Sequence, residues 1–143
     1  MNAVALILEH SVEVPVSLAF AWRFRTDVGT WNDPPVRVIL DGPFVDGASG
    51  TTILPNQPPL KWRVRDVRVA EAFTIEMELE GAVLRAEWMF AEVAESRTRM
   101  TQRLVLSGAN ATSYREQVRS GFGPTPADGM NRIALQMVAA TKA

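Results

Sequence analysis

The chain has 143 residues, of which 47% are hydrophobic and 22% are charged, and its formal net charge is −1. This length suits a single domain over residues 1–143 with a sizeable core, and the charge balance argues against a disordered chain or a nucleic-acid-binding surface. The absence of cysteine excludes disulfides and a cysteine nucleophile, and the single histidine, His10, excludes a multi-histidine metal site.

The N-terminal segment predicts one strand followed by two short helices. Residues 4–14 alternate between apolar and polar side chains, a period of two that is typical of a strand with one buried face. His10 falls on the apolar side of this alternation. Ser17 fits the cap of a short helix, Asp27 begins a second helical turn, and Asn-Asp-Pro-Pro at 32–35 ends that turn.

Six further strands are predicted in the middle of the chain. The first two cover residues 36–40 and 49–54, with turn-forming residues between them. After a proline-rich loop at 55–59, four longer alternating segments follow at residues 60–67, 73–79, 84–90 and 98–106. Their charged and apolar residues fall on opposite sides, which predicts an antiparallel meander with a charged convex face and an apolar concave face.

Turn chemistry and charge pairing predict a register for this meander. A two-residue turn that begins with Gly81 is typical of a type II′ hairpin, and it would place Glu78 opposite Arg85. The preceding hairpin would place Arg65 beside Glu76. Facing opposite charges stabilise a ladder by only about 0.2–1 kcal/mol each, but together they fix which face each strand exposes. The register of the last strand pair stays open by a residue or two.

Helical spacing replaces the alternation after residue 108. Residues 109–119 are predicted as a first helical segment, which Gly-Phe-Gly-Pro at 121–124 interrupts. Thr125 and Pro126 fit the cap and first position of a long helix. Its apolar stripe, at the spacing of one helix face, consists of Met130, Ile133, Ala134, Met137 and Val138. A sheet with one apolar face needs a cover, and this helix is the largest element available.

No stretch of the sequence resembles a signal peptide or a membrane span, so we expect a cytoplasmic protein. The basic residues between Lys61 and Arg68 alternate with apolar ones beside an acidic strand. We therefore interpret them as a paired, solvated sheet face rather than as a nucleic-acid-binding surface.

Four stretches together resemble a known family. They are Ser-Val-Glu-Val-Pro at 11–15 leading into the helix with Phe20 and Trp22; Asp27 with Trp31; Gly-Pro-Phe-Val-Asp-Gly-Ala-Ser-Gly at 42–50; and Leu-Val-Leu-Ser-Gly at 104–108. In this order they span almost the whole chain. The chain resembles the SRPBCC superfamily (START-like, birch-pollen-allergen-like), and most closely its polyketide cyclase/dehydrase branch.

The resemblance implies an α+β helix-grip fold: a curved seven-stranded antiparallel sheet around a long C-terminal helix, with two short helices after strand 1. It also implies a hydrophobic cavity between sheet and helix for a polyketide-, lipid- or aromatic-like molecule, and no cofactor. It implies no particular reaction, because the superfamily has no shared catalytic motif and many members only bind or carry a ligand. The loop at 55–59 and the break at 121–126 depart from the family pattern near the expected cavity entrance.

The alternation along the strands and the apolar stripe of the last helix predict which residues would line this cavity. They are Trp62, Val64, Ile75, Met77, Leu79, Trp88, Phe90 and Met100 from the sheet, Tyr114 from the segment after it, and Met130, Ile133 and Met137 from the last helix. Tryptophan and methionine suit an adaptable apolar pocket. The same residues would serve equally well as an ordinary core.

His10 and Gln102 are the candidate catalytic residues. Imidazole is the usual general acid–base group near neutral pH, although a single histidine on an apolar strand face is more often a hydrogen-bonded core residue. Gln102 occupies an inward position on the strand expected beside the first strand. The pair could orient a carbonyl or hydroxyl group of a ligand, or the two side chains could bind each other.

Other polar residues are weaker candidates for the cavity mouth. Asn32 and Asp33 follow the second short helix, and Arg115 and Arg119 lie on the segment with Tyr114. Turn formation and a solvated helix surface are the more ordinary interpretations of these four. Asp66 points inward by strict alternation, unless a bulge at the strand end turns it outward.

Three functions remain open from the sequence. The first is binding or carriage of an apolar small molecule. The second is a cofactor-free cyclase, dehydratase or lyase that folds such a substrate in a shaped pocket. The third is a protein-interaction module that uses the apolar groove. Nucleic acid and a membrane span are not expected, and a homodimer is left open.

Overall fold

The computed structural model describes residues 4–32, 35–121 and 126–142. Three α-helices and seven strands are found there, with a 3₁₀ helix, Val28–Trp31, after the first helix and another, Ala111–Tyr114, after the last strand. The strands are β1 Val4–Val14, β2 Arg37–Leu40, β3 Ser49–Ile53, β4 Leu60–Arg68, β5 Ala72–Leu79, β6 Ala82–Ala94 and β7 Arg97–Ser107. The helices are α1 Leu18–Thr26, α2 Arg115–Gly121 and α3 Pro126–Ala140.

The strands form one antiparallel sheet in the order β1-β7-β6-β5-β4-β3-β2. Helix α3 packs across β1, and its stripe residues Met130 and Met137 are fully buried against the apolar face of the sheet. The curved sheet and the helix within it are the helix-grip arrangement predicted from the sequence. None of the helices in the part of the chain that the structure describes is long and apolar enough to span a membrane.

The two helices that follow β1 begin at the predicted capping residues. The Ser17 hydroxyl accepts a hydrogen bond from the Phe20 amide at 3.1 Å, and the Asp27 carboxylate accepts one from the Gly29 amide at 3.0 Å. Each satisfies a backbone N–H that has no partner within its own helix. Helix α3 begins at Pro126 as predicted, whereas Thr125 and the break around it lie outside the described residues.

The predicted register of the β5–β6 hairpin is wrong by two residues. Leu79 pairs with Ala82, so the turn consists of Glu80 and Gly81, and Arg85 faces Glu76 instead of Glu78. Gly81 has a φ of 72°, which favours glycine, and a Cβ there would lie 2.8 Å from the Asn110 side chain. Because the shift is an even number of residues, every side chain still lies on its predicted face.

The β4–β5 pairing is also shifted, because β4 contains a bulge. Asp66 has a φ of 53°, and the register changes between Arg65 and Arg68. The bulge turns the Asp66 carboxylate outward, where the side chain is 68% exposed. Arg65 therefore faces Thr74, although its Nε still reaches Glu76 Oε1 diagonally at 3.5 Å.

Ion pairs cover the convex face of the sheet, as predicted. Arg85 contacts both Glu76 and Asp66, and Glu13 pairs with Arg97 at 2.9 Å and with Arg99 at 3.0 Å. Hydrogen bonds from Arg97 and then Arg99 hold the pKa of the exposed Glu13 carboxyl below its usual range. Such surface pairs contribute little stability individually, but they keep this face of the sheet in solvent.

The core on the concave side falls into three neighbouring clusters. The largest joins Phe73, Trp88, Phe90 and Met100 to α1 and to the apolar stripe of α3. A second surrounds Leu84, Leu106 and Val118, and a third surrounds Val28, Trp62 and Val64. Gly50 allows the third cluster to form, since a Cβ at that position would lie 2.2–2.4 Å from ring atoms of Trp62.

Candidate ligand-binding site

The predicted lining residues all lie in or against these clusters. The buried ones are Trp62, Val64, Trp88, Phe90, Met100, Met130 and Met137, and the partly buried ones are Ile75, Met77, Leu79, Tyr114 and Ile133. They are divided among the clusters instead of surrounding one space. The Tyr114 hydroxyl donates to the Glu80 carbonyl at 3.1 Å, so this polar group holds the β5–β6 turn in place.

A pocket of about 330 Å³ opens between the Val28–Trp31 helix and α3. Trp31, Asn32 and Val38 line one side, and Arg132, Ile133 and Gln136 of α3 line the other. Arg25 borders it from α1. Ile133 and Asn32 are the two sequence-predicted residues that reach this pocket.

Arg25 is the residue of this pocket that the sequence reasoning missed. Its guanidinium carbon lies 4.2 Å from the ring centre of Trp88 and 4.6 Å from that of Trp31, so the cation contacts two indole rings. It comes three residues after Trp22 and four after the buried Ala21, which places it on the buried face of α1. That spacing is the signal that would have identified it.

The charge of Arg25 has no counter-ion among the described residues, whose carboxylates all lie more than 4 Å from it. Its Nε atom is buried without a hydrogen-bond partner. The residue as a whole is half-buried, because it also borders the open pocket. Loss of water around the guanidinium lowers the pKa of Arg25 to about 9, so the group remains charged at neutral pH.

Trp31 and Asn32 are fixed in position beside this cation. The Trp31 indole N–H donates to the Arg25 carbonyl at 2.8 Å, and its ring stacks with Phe73 at a centroid distance of 6.4 Å. The Asn32 amide donates to the Gly29 carbonyl at 3.2 Å, and its oxygen accepts from the Val38 amide at 2.7 Å. Asn32 therefore acts as the turn former that was the more ordinary interpretation. Asp33 lies outside the described residues.

His10 and Gln102 are directly paired across β1 and β7, on the concave face. Gln102 is paired with Trp88 on its other side, so the row His10–Gln102–Trp88 crosses three strands and ends beneath Arg25. Both polar residues are half-buried, and neither side chain has a hydrogen-bond partner in the described part of the chain. The adjacency expected from the sequence is thus present, and the hydrogen-bonding capacity of both side chains is unused.

The remaining sequence candidates have ordinary structural contacts. Arg115 Nε donates to the Ala5 carbonyl at 3.1 Å, which ties α2 to β1, and Arg119 pairs with Glu116 one turn away. Among the described residues, no cluster of histidine and carboxylate side chains is suited to a metal ion.

Two larger hollows lie elsewhere on the sheet. One of about 550 Å³ borders the bulge in β4, and one of about 460 Å³ lies beside Gly50. Charged residues that belong to the convex ion pairs line both hollows, including Arg85 and Glu87 in the first and Glu76 in the second. The smaller pocket at Trp31 is the one bordered by both α1 and α3.

No family model matches this chain, and no curated protein matches it by sequence. Solved structures do match it. Norcoclaurine synthase from Thalictrum flavum, in complex with dopamine and hydroxybenzaldehyde, has 12% identity over 99% of this chain and 90% of its own, with a TM-score of 0.74. Protein Ms6760 from Mycobacterium smegmatis has 18% identity over 96% and 98% of the two chains, with a TM-score of 0.65.

Protein NE0264 from Nitrosomonas europaea has 15% identity over 96% of this chain and 97% of its own, with a TM-score of 0.68. Identities this low show a common fold and nothing about activity. These structures share the fold of this chain, which confirms the helix-grip architecture expected from the sequence.

Proposed function

We propose that this chain, which has the helix-grip fold of the SRPBCC superfamily, binds a hydrophobic small molecule of polyketide, lipid or aromatic type between the sheet and α3. The pocket between Trp31 and Ile133 is the observation that carries the proposal, because both of these lining residues also pack against the aromatic core cluster. Trp31, Val38 and Ile133 give the pocket apolar walls, and concave sites that combine apolar walls with fixed polar groups are typical of small-molecule binding.

The aromatic content of the site favours a ligand with a flat, unsaturated body. Trp31 stacks with Phe73, and Phe73 stacks with Trp88 at a centroid distance of 6.1 Å, which gives a series of ring faces behind the pocket. Aromatic faces attract other rings through offset and edge-to-face contacts. The similar norcoclaurine synthase structure holds dopamine and hydroxybenzaldehyde, which are both aromatic molecules.

Binding can be tested with N-phenyl-1-naphthylamine, a neutral probe that fluoresces in apolar surroundings. Ile133→Trp would fill the pocket from α3, so we expect it to weaken probe binding at least ~10-fold. Leu135→Trp is the matched control, because Leu135 lies on the same helix with 72% of its surface exposed. Failure of the native protein to bind the probe, or equal binding by the Ile133 variant, would contradict the proposal.

The second candidate is a cofactor-free enzyme of cyclase, dehydratase or lyase type. The adjacent, unpartnered side chains of His10 and Gln102 favour it, because they could move a proton and hold a carbonyl of the same substrate. His10→Ala should abolish the conversion of synthetic poly-β-ketones, followed by liquid chromatography and mass spectrometry, while ligand binding remains. Turnover that survives in a folded His10→Ala variant would exclude this role.

A further inference from the structure

We infer that Arg25 is the anion-binding group of this pocket, so that the preferred ligand is an apolar, ring-containing molecule with a carboxylate or equivalent oxyanion. This inference rests on the proposed function, because it assigns the ligand class of the same site. It starts from an arrangement that burial of apolar surface does not explain: a cation among tryptophan rings with no counter-ion in the described part of the chain.

A buried charge is normally paired, because removing it from water is unfavourable unless another charge or a set of hydrogen bonds compensates. The nearest carboxylate in sequence, that of Asp27, already accepts the Gly29 amide hydrogen and lies exposed at the end of α1. Contacts with Trp31 and Trp88 compensate for only part of the lost hydration of Arg25. An anion from outside the chain would supply the rest.

The guanidinium of Arg25 has donors that suit such an anion. Its planar fork of N–H groups matches the two oxygens of a carboxylate. Nε of Arg25 is buried and lacks an acceptor. The side chain also borders the pocket, so a ligand that enters beside Trp31 would contact Arg25.

The other residues around the pocket agree with this charge preference. The described residues that line the pocket include no aspartate or glutamate, so no negative charge among them would repel an anion. The apolar body of the ligand would contact Val38 and Ile133, and its charged end would lie at Arg25. Binding of such a ligand would not require Trp31 to move, because its indole N–H already donates a hydrogen bond to the Arg25 carbonyl.

The test is isothermal titration calorimetry of the native protein at neutral pH with naphthalene-2-carboxylate and naphthalene-2-carboxamide, which have the same shape but differ in charge. We expect the carboxylate to bind about 10–100-fold more tightly, the range given by hydrogen bonds between charged groups. Arg25→Met should reduce this preference to less than about threefold, and Arg25→Lys should keep part of it. Arg23→Met, which changes an exposed arginine of the same helix, should leave it unchanged.

The outcomes separate the two proposals. Equal affinity of the native protein for the acid and the amide would overturn the role of Arg25 and leave the ligand-binding function standing. A preference for the acid that survives in Arg25→Met would do the same. If neither naphthalene compound nor the neutral probe binds, the ligand-binding function fails, and the inference fails with it. Equal affinity in the native protein overturns the inference without any variant, and Arg25→Lys replaces Arg25→Met as the test of this residue if Arg25→Met does not fold.

Discussion

Methionine in place of Arg25 removes a charge from between Trp31 and Trp88 and keeps most of the side-chain volume. Burial lowers the pKa of Arg25 far below its ordinary value, to about 9. At about 1.4 kcal/mol per pKa unit, this sets an upper limit of about 5 kcal/mol on the free energy lost by holding the charge there. The residue is half-buried, and screening by the solvent at the pocket reduces the figure to about half.

The substitution also removes two cation–π contacts, which are worth about 0.5–1 kcal/mol each. We therefore expect Arg25→Met to raise the free energy of unfolding by about 0.5–1.5 kcal/mol, the same direction as is seen when apolar residues replace buried charges. The melting temperature should rise by about 2–6 °C. A charged group that lowers the stability of the fold is consistent with a binding site, because function and stability often conflict.

Urea unfolding followed by far-ultraviolet circular dichroism measures this change without depending on the tryptophans next to the substitution. The midpoint should increase while the slope stays the same, which would indicate a change in stability alone. Arg23→Met serves as the control and should lie within about 0.5 kcal/mol of the native protein. If Arg25→Met is destabilised by more than about 1 kcal/mol, the guanidinium has a compensating partner and the reasoning is wrong.

Two further predictions concern pH and packing. The pKa of Arg25 is lower in the folded than in the unfolded chain, so the unfolded state binds more protons above pH 9. The stability of the native protein should therefore rise relative to that of Arg25→Met between about pH 8 and 10.5. A constant difference between their urea midpoints over this range would contradict the prediction. Gly50→Ala would place a methyl group against the Trp62 ring and should lower the stability by about 1–3 kcal/mol. Gly129→Ala has nothing within 4 Å of the added Cβ and should raise the stability by about 0.5–1 kcal/mol. If thermal unfolding shifted the melting temperature of both variants in the same direction, the packing argument would be refuted.

Alternation and capping residues were sufficient to predict the strands, the helices and the face that each strand buries. They could not determine pairing register, because a shift of two residues leaves every side chain on the same face. Two features accompany the observed register: the bulge at Asp66 and the hydrogen bond from Asn110 to the β5–β6 turn. The sequence allowed for the bulge, but the contact with Asn110 joins segments 30 residues apart.

The candidate site was predictable only in part, for a related reason. His10 and Gln102 were found because strand parity and neighbouring strands place both on the inner face, and they are paired as expected. Their role in catalysis stays a prediction. Arg25 was missed because arginine in a short helix normally lies in solvent. Its burial depends on Trp31 and Trp88, which come from other elements of the fold.

Native mass spectrometry of the protein as purified, with organic extraction and accurate-mass analysis of anything released, tests the central claim most directly. We predict one apolar, ring-containing acid bound per chain, and its loss from Ile133→Trp but not from Leu135→Trp. A protein that is purified empty, and that also leaves both the naphthalene compounds and the neutral probe unbound, would contradict the claim that this helix grip holds a small-molecule ligand.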